Sequence, residues 1–463
     1  MSETEEKNTN TFRRDSVKPY VELIDDGREY YAEDELQDLS LSLQCNSKGG
    51  VVLYGPTGCG KTALVRKFIQ QDLKELFGVE SIKVFHIRPF WTIGRFDIET
   101  MLNIISNIVE ESETKAVILH AEFSSLDLLN QALNVMDYYL DGIVNHFNLN
   151  MIKFIFELRI SKDPENNKEI LKKLQDSSRC MSCEFDIILE RYLGIITLIV
   201  DELSKKYEIS YSKNDLLYFI ASFYAFGGDI KDINECIDFF EKLFVLSKFD
   251  QKISLDRKIA GKVFPYIARY FEENSKEVIR SVAIHESGHA LIGLLNEKDG
   301  KIIFASIIPG YEYNGVVVRE GRKQTHSCYC NKDFYVKSIA RCLAGRIAQQ
   351  AFDKNAMPDF GAVGDLGSAM MEINRVITRM GISEEIGKNY VLSEKDHFVS
   401  EETVLNVEDA RRQLLKDAEE YAERMISIHK EFVEQLADKL MEEGVVAQDE
   451  LYEMWETYLK SKQ

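Results

Sequence analysis

Apolar and polar residues follow two different periods along this chain. The first strong apolar run, Gly50-Val51-Val52-Leu53-Tyr54, has no polar interruption, as a strand buried on both faces requires. Similar runs lie at Ser81 to Ile87, Ala116 to His120 and Lys153 to Leu158, separated by helical stretches that begin with Ala63 to Leu76. This order predicts a parallel sheet covered by helices. From about Ile196 to Ala260 apolar residues recur at three- and four-residue spacing, through Leu217-Tyr218-Phe219-Ile220 and Ile233 to Phe244, which predicts a small helical domain. Beyond Ile267 helices dominate, interrupted by an expected strand pair at Ile302 to Ile308 and Gly315 to Val318. A long charged amphipathic helix is expected from Val407 to about Glu442.

At 463 residues the chain exceeds what one core usually supports. The pattern divides it into an acidic amino-terminal arm over 1–35, an α/β domain over 36–195, a helical domain over 196–265 and a mostly helical domain over 275–463. The arm is poor in large apolar residues, so it is expected to be mobile. A net charge of -20 repels phosphate backbones, which argues against nucleic acid as a partner. No run approaches the roughly 20 apolar residues of a membrane helix, so no integral membrane segment is expected. Eight cysteines without a disulfide-like framework suggest reduced thiols, and the expected location is cytoplasmic. Cys180-x-x-Cys183 and His326-x-Cys328-x-Cys330 have poor spacing for a structural zinc site and read as ordinary thiols.

Two motifs carry chemistry. Gly55-Pro56-Thr57-Gly58-Cys59-Gly60-Lys61-Thr62 follows an apolar strand and precedes a helix, the context of a phosphate loop. Backbone N–H groups and the helix N-terminus cradle phosphates, Lys61 reaches the terminal phosphates and the Thr62 hydroxyl meets Mg2+. The cofactor expected there is ATP with Mg2+. The second motif is His285-Glu286-Ser287-Gly288-His289. Residues four apart share a helix face, so both imidazoles can reach one Zn2+ while Glu286 handles a proton. A catalytic zinc takes three protein ligands, so a third must come from elsewhere.

With His285-Glu-Ser-Gly-His289-Ala come Lys301-Ile-Ile-Phe-Ala-Ser-Ile-Ile-Pro309, Leu343-Ala-Gly-Arg346-Ile-Ala and Gly361-Ala-Val-Gly-Asp365-Leu. In this order they resemble the peptidase domain of FtsH-type AAA+ proteases, over about 275–460. The resemblance implies an α/β P-loop (AAA+) domain with a helical lid, followed by a mostly α-helical zinc metallopeptidase domain. It implies that Asp365 is the third ligand of one zinc per chain; the other reading of Asp365 is a carboxylate facing a helix N-terminus. It also implies a homohexamer acting on protein substrates.

Around the phosphate loop the chain departs from that family. Val117-Ile-Leu-His120-Ala121-Glu122 has Ala121 where the family carries an Asp, and leaves Glu122 to polarise the attacking water. Phe154-Ile-Phe-Glu157-Leu-Arg159 lacks the family's sensor Asn. Arg179 lies near the place of an arginine finger but reads equally as a surface residue. Phe90 or Trp91 stands where a pore loop grips substrate, with a core aromatic as the alternative. The strand Lys301 to Ile308 is a candidate to take up substrate as an added β-strand, or simply a core strand. Gly227-Gly228-Asp229-Ile230 resembles the approach to the last lid helices. The leading function is an ATP-dependent zinc metalloendopeptidase that unfolds and degrades soluble proteins. The alternatives are a hydrolysis-deficient zinc peptidase whose ATP assembles or gates a ring, and a non-proteolytic chaperone-like scaffold.

Overall fold

The structure, a computed structural model, describes residues 20–23, 33–44, 49–87, 98–112, 115–134, 149, 151–160, 181–184, 189–296, 300–311, 313–320, 331–353, 360–379 and 401–462. Its contacts divide the chain into two units. One is Met1–Ile187 with Lys231–Ile233, the other Ile188–Ile230 with Asn234–Gln463.

The first unit is built on strands β1 (Tyr20–Glu22), β2 (Gly50–Gly55), β3 (Ile82–Ile87), β4 (Ala116–Phe123), β5 (Met151–Arg159) and β6 (Met181–Glu184). They form one sheet in the order β1-β3-β4-β5-β2-β6, parallel except where β1 runs antiparallel to β3. Every residue of β2 is buried, and β4 and β5 are nearly so. Both faces are therefore covered, which is why these strands read as unbroken apolar runs. β5 lies between β2 and β4.

Two expectations for this unit change. Tyr20–Glu22, inside the arm read as mobile, is an edge strand whose ladder partner is β3. The helix expected from Ala63 to Leu76 is two helices, α1 (Lys61–Phe68) and a short turn Leu73–Phe77. Asp72 separates them by accepting from the Lys74 and Glu75 N–H groups at 3.1 and 3.3 Å, a capping interaction that starts a new helix.

In the second unit, β7 (Ile302–Ser306), β8 (Val316–Arg319) and β9 (Val445–Ala447) form an antiparallel sheet in the order β8-β7-β9. Of the two readings of Lys301 to Ile308, the core strand fits: β7 is the central strand, paired on both sides and buried throughout. The edge strands are β8 and β9. Helix α2 (Lys276–Leu294) starts at Ser275, whose hydroxyl accepts from Val278 N–H. It packs against α3 (Lys332–Phe352), α4 (Lys430–Glu443) and β7. From Val282 to Leu294 only His289 is not buried, so α2 is a central helix covered on all sides.

The long helix expected over Val407 to Glu442 is interrupted. One helix spans Glu401–Ile428, and α4 begins at Lys430 after a turn at His429. No Pro or Gly marks the break. The His429 ring instead packs edge-on against Trp455 and Tyr458 of the last helix, Gln448–Ser461. Among the described residues no helix is long and apolar enough to cross a membrane.

Candidate functional site

In the second unit, α2 carries His285 and His289 one turn apart, and the helix Phe360–Arg379 brings Asp365 to them. The ligand atoms of these three side chains all lie within 4.8 Å of one another. Asp365 Oδ2 is 3.0 Å from His285 Nε2 and 3.1 Å from His289 Nε2, and the two Nε2 atoms are 3.0 Å apart.

The opposite edges of the rings decide what this cluster needs. His289 Nδ1 lies 2.7 Å from the Arg341 carbonyl, which can only accept, so Nδ1 carries the proton and the neutral ring turns its Nε2 lone pair inward. His285 Nδ1 lies 3.1 Å from Gln349 Oε1, while Gln349 Nε2 donates to Ser281 Oγ at 3.0 Å. The same tautomer follows. Two lone pairs and a carboxylate oxygen then converge on one point, an arrangement that demands a cation. Two imidazoles and one carboxylate are a zinc donor set. Ligands of a tetrahedral zinc at about 2.0–2.1 Å stand roughly 3.3 Å apart, so the cluster needs to open by only a few tenths of an ångström.

A proton satisfies the same demand. Burial works to lower the His285 pKa, but the Asp365 hydrogen bond and the charges of Glu286 and Asp365 outweigh it and push it up to about 9. Burial opposes ionisation of Asp365, yet the two imidazoles beside it hold its pKa below the ordinary carboxylate range. Glu286, next to His285, is buried. A cleft of about 690 Å³ is lined by His285, Glu286, His289, Asp365 and residues 315–317, so the cluster faces space adjoining β8.

Sequence reasoning missed the support behind these ligands. A Cβ at Gly345 would lie 2.4–2.6 Å from the His285 ring atoms, and one at Gly288 would lie 2.5 Å from the Ala344 carbonyl. The small residues of Leu343-Ala344-Gly345 therefore let α3 close on α2 where the ligands sit. Gln349, one turn after Gly345 and buried, was also missed. A polar residue repeating on the same face as Gly345 was its only signal. Outer-shell partners of ligating histidines set ring orientation and typically contribute 10–100-fold in metal affinity. Gln349→Leu is therefore expected to weaken zinc binding by about 10–100-fold in chelator competition, with the thermal transition largely retained. Unchanged affinity would remove Gln349 from this role.

In the first unit, Gly55 to Thr62 link β2 to α1. Gly58 and Gly60 have φ of 76° and 103°, the left-handed region that glycine tolerates and other residues resist. This turns the loop above the α1 N-terminus. Lys61 Nζ donates to the carbonyls of Gly55 and Pro56 at 3.0 and 2.7 Å. Ala121 is buried and brings no carboxylate. Glu122 is tied to Arg159 at 2.6 Å; burial opposes its ionisation, but the Arg159 hydrogen bond and charge bring its pKa down. Phe90, Trp91, Arg179, Cys180, His326, Cys328 and Cys330 lie outside the described residues.

Each of the two motifs falls within a segment that matches a known family. The family model described as peptidase family M41 matches residues 272–454, and that of the KAP family P-loop domain matches 43–205. The ATP-dependent zinc metalloprotease FtsH of Rickettsia typhi is 29% identical over 202 residues, 42% of this chain and 30% of that protein. The protein of the same name from Aquifex aeolicus is 32% identical over 146 residues, 32% of this chain and 22% of that protein. The chain thus spans less than a third of the length of either relative. With a match to the KAP family P-loop domain at 43–205 and to peptidase family M41 at 272–454, the chain is similar to the FtsH-type zinc metalloproteases.

Proposed function

We propose that this protein is a zinc metalloendopeptidase whose action on folded proteins depends on ATP bound at its P-loop. The observation that carries the reading is the convergence of His285 Nε2, His289 Nε2 and Asp365 Oδ2 beside Glu286 in an open cleft. His285, His289 and Asp365 would hold the metal. When bound, zinc polarises the scissile carbonyl and acidifies a water. The Glu286 carboxylate takes a proton from the attacking water and delivers it to the leaving amine nitrogen. Arg341 and Gln349 keep the imidazoles in the tautomer that presents Nε2 to the cleft.

Substrate would bind as an extended strand on β8. Its outer edge carries no ladder partner among the described residues, and Val316 and Val317 line the cleft. Main-chain pairing of this kind is blind to most side chains, so cleavage would follow backbone extension more than sequence. An extended backbone must first be exposed, and that is the work proposed for ATP. By family resemblance the working unit is a ring of six copies, and the substrates are proteins.

A second reading rests on Ala121 and on the Glu122–Arg159 pair: nucleotide held without turnover, gating a peptidase of already unfolded chains. Proteolysis of a casein and of a stably folded protein, side by side, separates the two. Wild type is expected to cleave casein without ATP and the folded substrate only with hydrolysable ATP. Lys61→Ala should keep the first activity and lose the second. Degradation of the folded substrate with a non-hydrolysable analogue would favour gating alone.

A further inference from the structure

A carboxylate missing from β4 has a counterpart one strand away. Glu157 lies on β5, beside Leu53 of the phosphate-loop strand on one side and Glu122 of β4 on the other. It is only 2% exposed. A buried carboxylate is costly unless its oxygens are satisfied, and both of these are engaged. Glu157 Oε2 accepts from the Thr62 hydroxyl at 2.9 Å. Glu157 Oε1 lies 2.6 Å from His120 Nε2, which donates to it because an ionised carboxylate can only accept. His120 Nδ1 is then free to accept from His86 Nδ1, 2.9 Å away.

A hydrogen-bonded chain thus runs from β3 through β4 and β5 to the hydroxyl that follows the phosphate-loop lysine. Such a chain has a direction. Every donor in it points toward Glu157, which fixes the rotamer of the carboxylate beside Thr62. We infer that Glu157 supplies the magnesium-shell carboxylate that Ala121 cannot, with His120 as its positioning residue. The inference rests on the reading that the P-loop binds Mg2+-nucleotide. Adjacent ligands of an octahedral Mg2+ at about 2.0–2.1 Å are roughly 2.9 Å apart, which is the separation already held between Thr62 Oγ1 and Glu157 Oε2. The position suits the metal for a topological reason: β5 adjoins β2 directly, whereas β4 is one strand removed.

The test is a titration of the full chain with a fluorescent, non-hydrolysable ATP analogue, in Mg2+ and in EDTA. Wild type should bind about tenfold or more tightly with Mg2+, in the range of outer- and inner-shell contributions to metal affinity. The isosteric Glu157→Gln should lose most of that gain and keep the affinity seen in EDTA. A folded Glu157→Gln that retains the full Mg2+ gain overturns the inference while leaving nucleotide binding intact. Absence of any nucleotide binding by wild type would overturn the P-loop reading with it.

A spectroscopic measurement avoids dependence on the variant's folding. With Mn2+ in place of Mg2+, glutamate labelled with 13C and Glu122→Gln introduced to silence the neighbouring carboxylate, a hyperfine coupling between the metal and a glutamate carboxylate is expected. Its absence in nucleotide-bound protein sinks the assignment.

Discussion

Glu286→Gln is expected to lower peptide hydrolysis by about 10²–10⁴-fold, the contribution of a positioned general base, while zinc still binds in a one-to-one ratio. The amide has nearly the shape of the carboxylate, so the buried position on α2 stays filled and His285, His289 and Asp365 are untouched. What is lost is the acceptor for the water proton. Metal analysis of dialysed protein alongside casein cleavage gives both quantities. A variant that loses zinc together with activity would make Glu286 a structural support of the cluster. One that keeps both would remove it from the chemistry.

Gly345→Ala should be nearly as damaging through a different route. The added methyl would stand 2.4 Å from His285 Nε2 and within 2.6 Å of two further ring carbons. The ring has little room to withdraw, since Nδ1 is bound to Gln349 and the residue is 5% exposed. Either the imidazole leaves its place or α3 moves away from α2, at a cost of about 1–3 kcal/mol for overpacking. In both cases the three ligand atoms separate. The expected result is protein with a modestly lowered Tm, little bound zinc and hydrolysis near background. Full zinc content with normal cleavage would show that the close approach at Gly345 is not needed to hold the ligand.

These effects arise at sites that were unequally visible before the fold was known. His285, Glu286 and His289 are local in sequence, and a four-residue spacing on a helix is enough to align two imidazoles. The phosphate loop is local for the same reason, since Gly58, Gly60, Lys61 and Thr62 act through the turn that they themselves form. The strands of the first unit were legible because burial on both faces leaves an unbroken apolar run. Helix subdivision was less so. The break at His429 comes from aromatic packing against a later helix, and nothing in the local sequence marks it.

What the sequence by itself determined is the chemistry that short segments hold: a phosphate loop between a strand and a helix, and a histidine pair with its glutamate on one helix face. What only the tertiary structure decided is which distant side chains join them. Seventy-six residues separate His289 from Asp365, and resemblance, not spacing, nominated that carboxylate. Gln349 and Gly345 behind the histidines could not be assigned, because their roles exist only once α3 packs on α2. Nor could β7 be told from β8 as the open edge, which is a property of strand order. Glu157 is the sharpest case. On the sequence it is a departure on the wrong strand, and only the placement of β5 beside β2 brings its carboxylate to the Thr62 hydroxyl. Covalent spacing carries information over a turn or two of helix; beyond that, proximity is set by packing, and packing belongs to the whole chain.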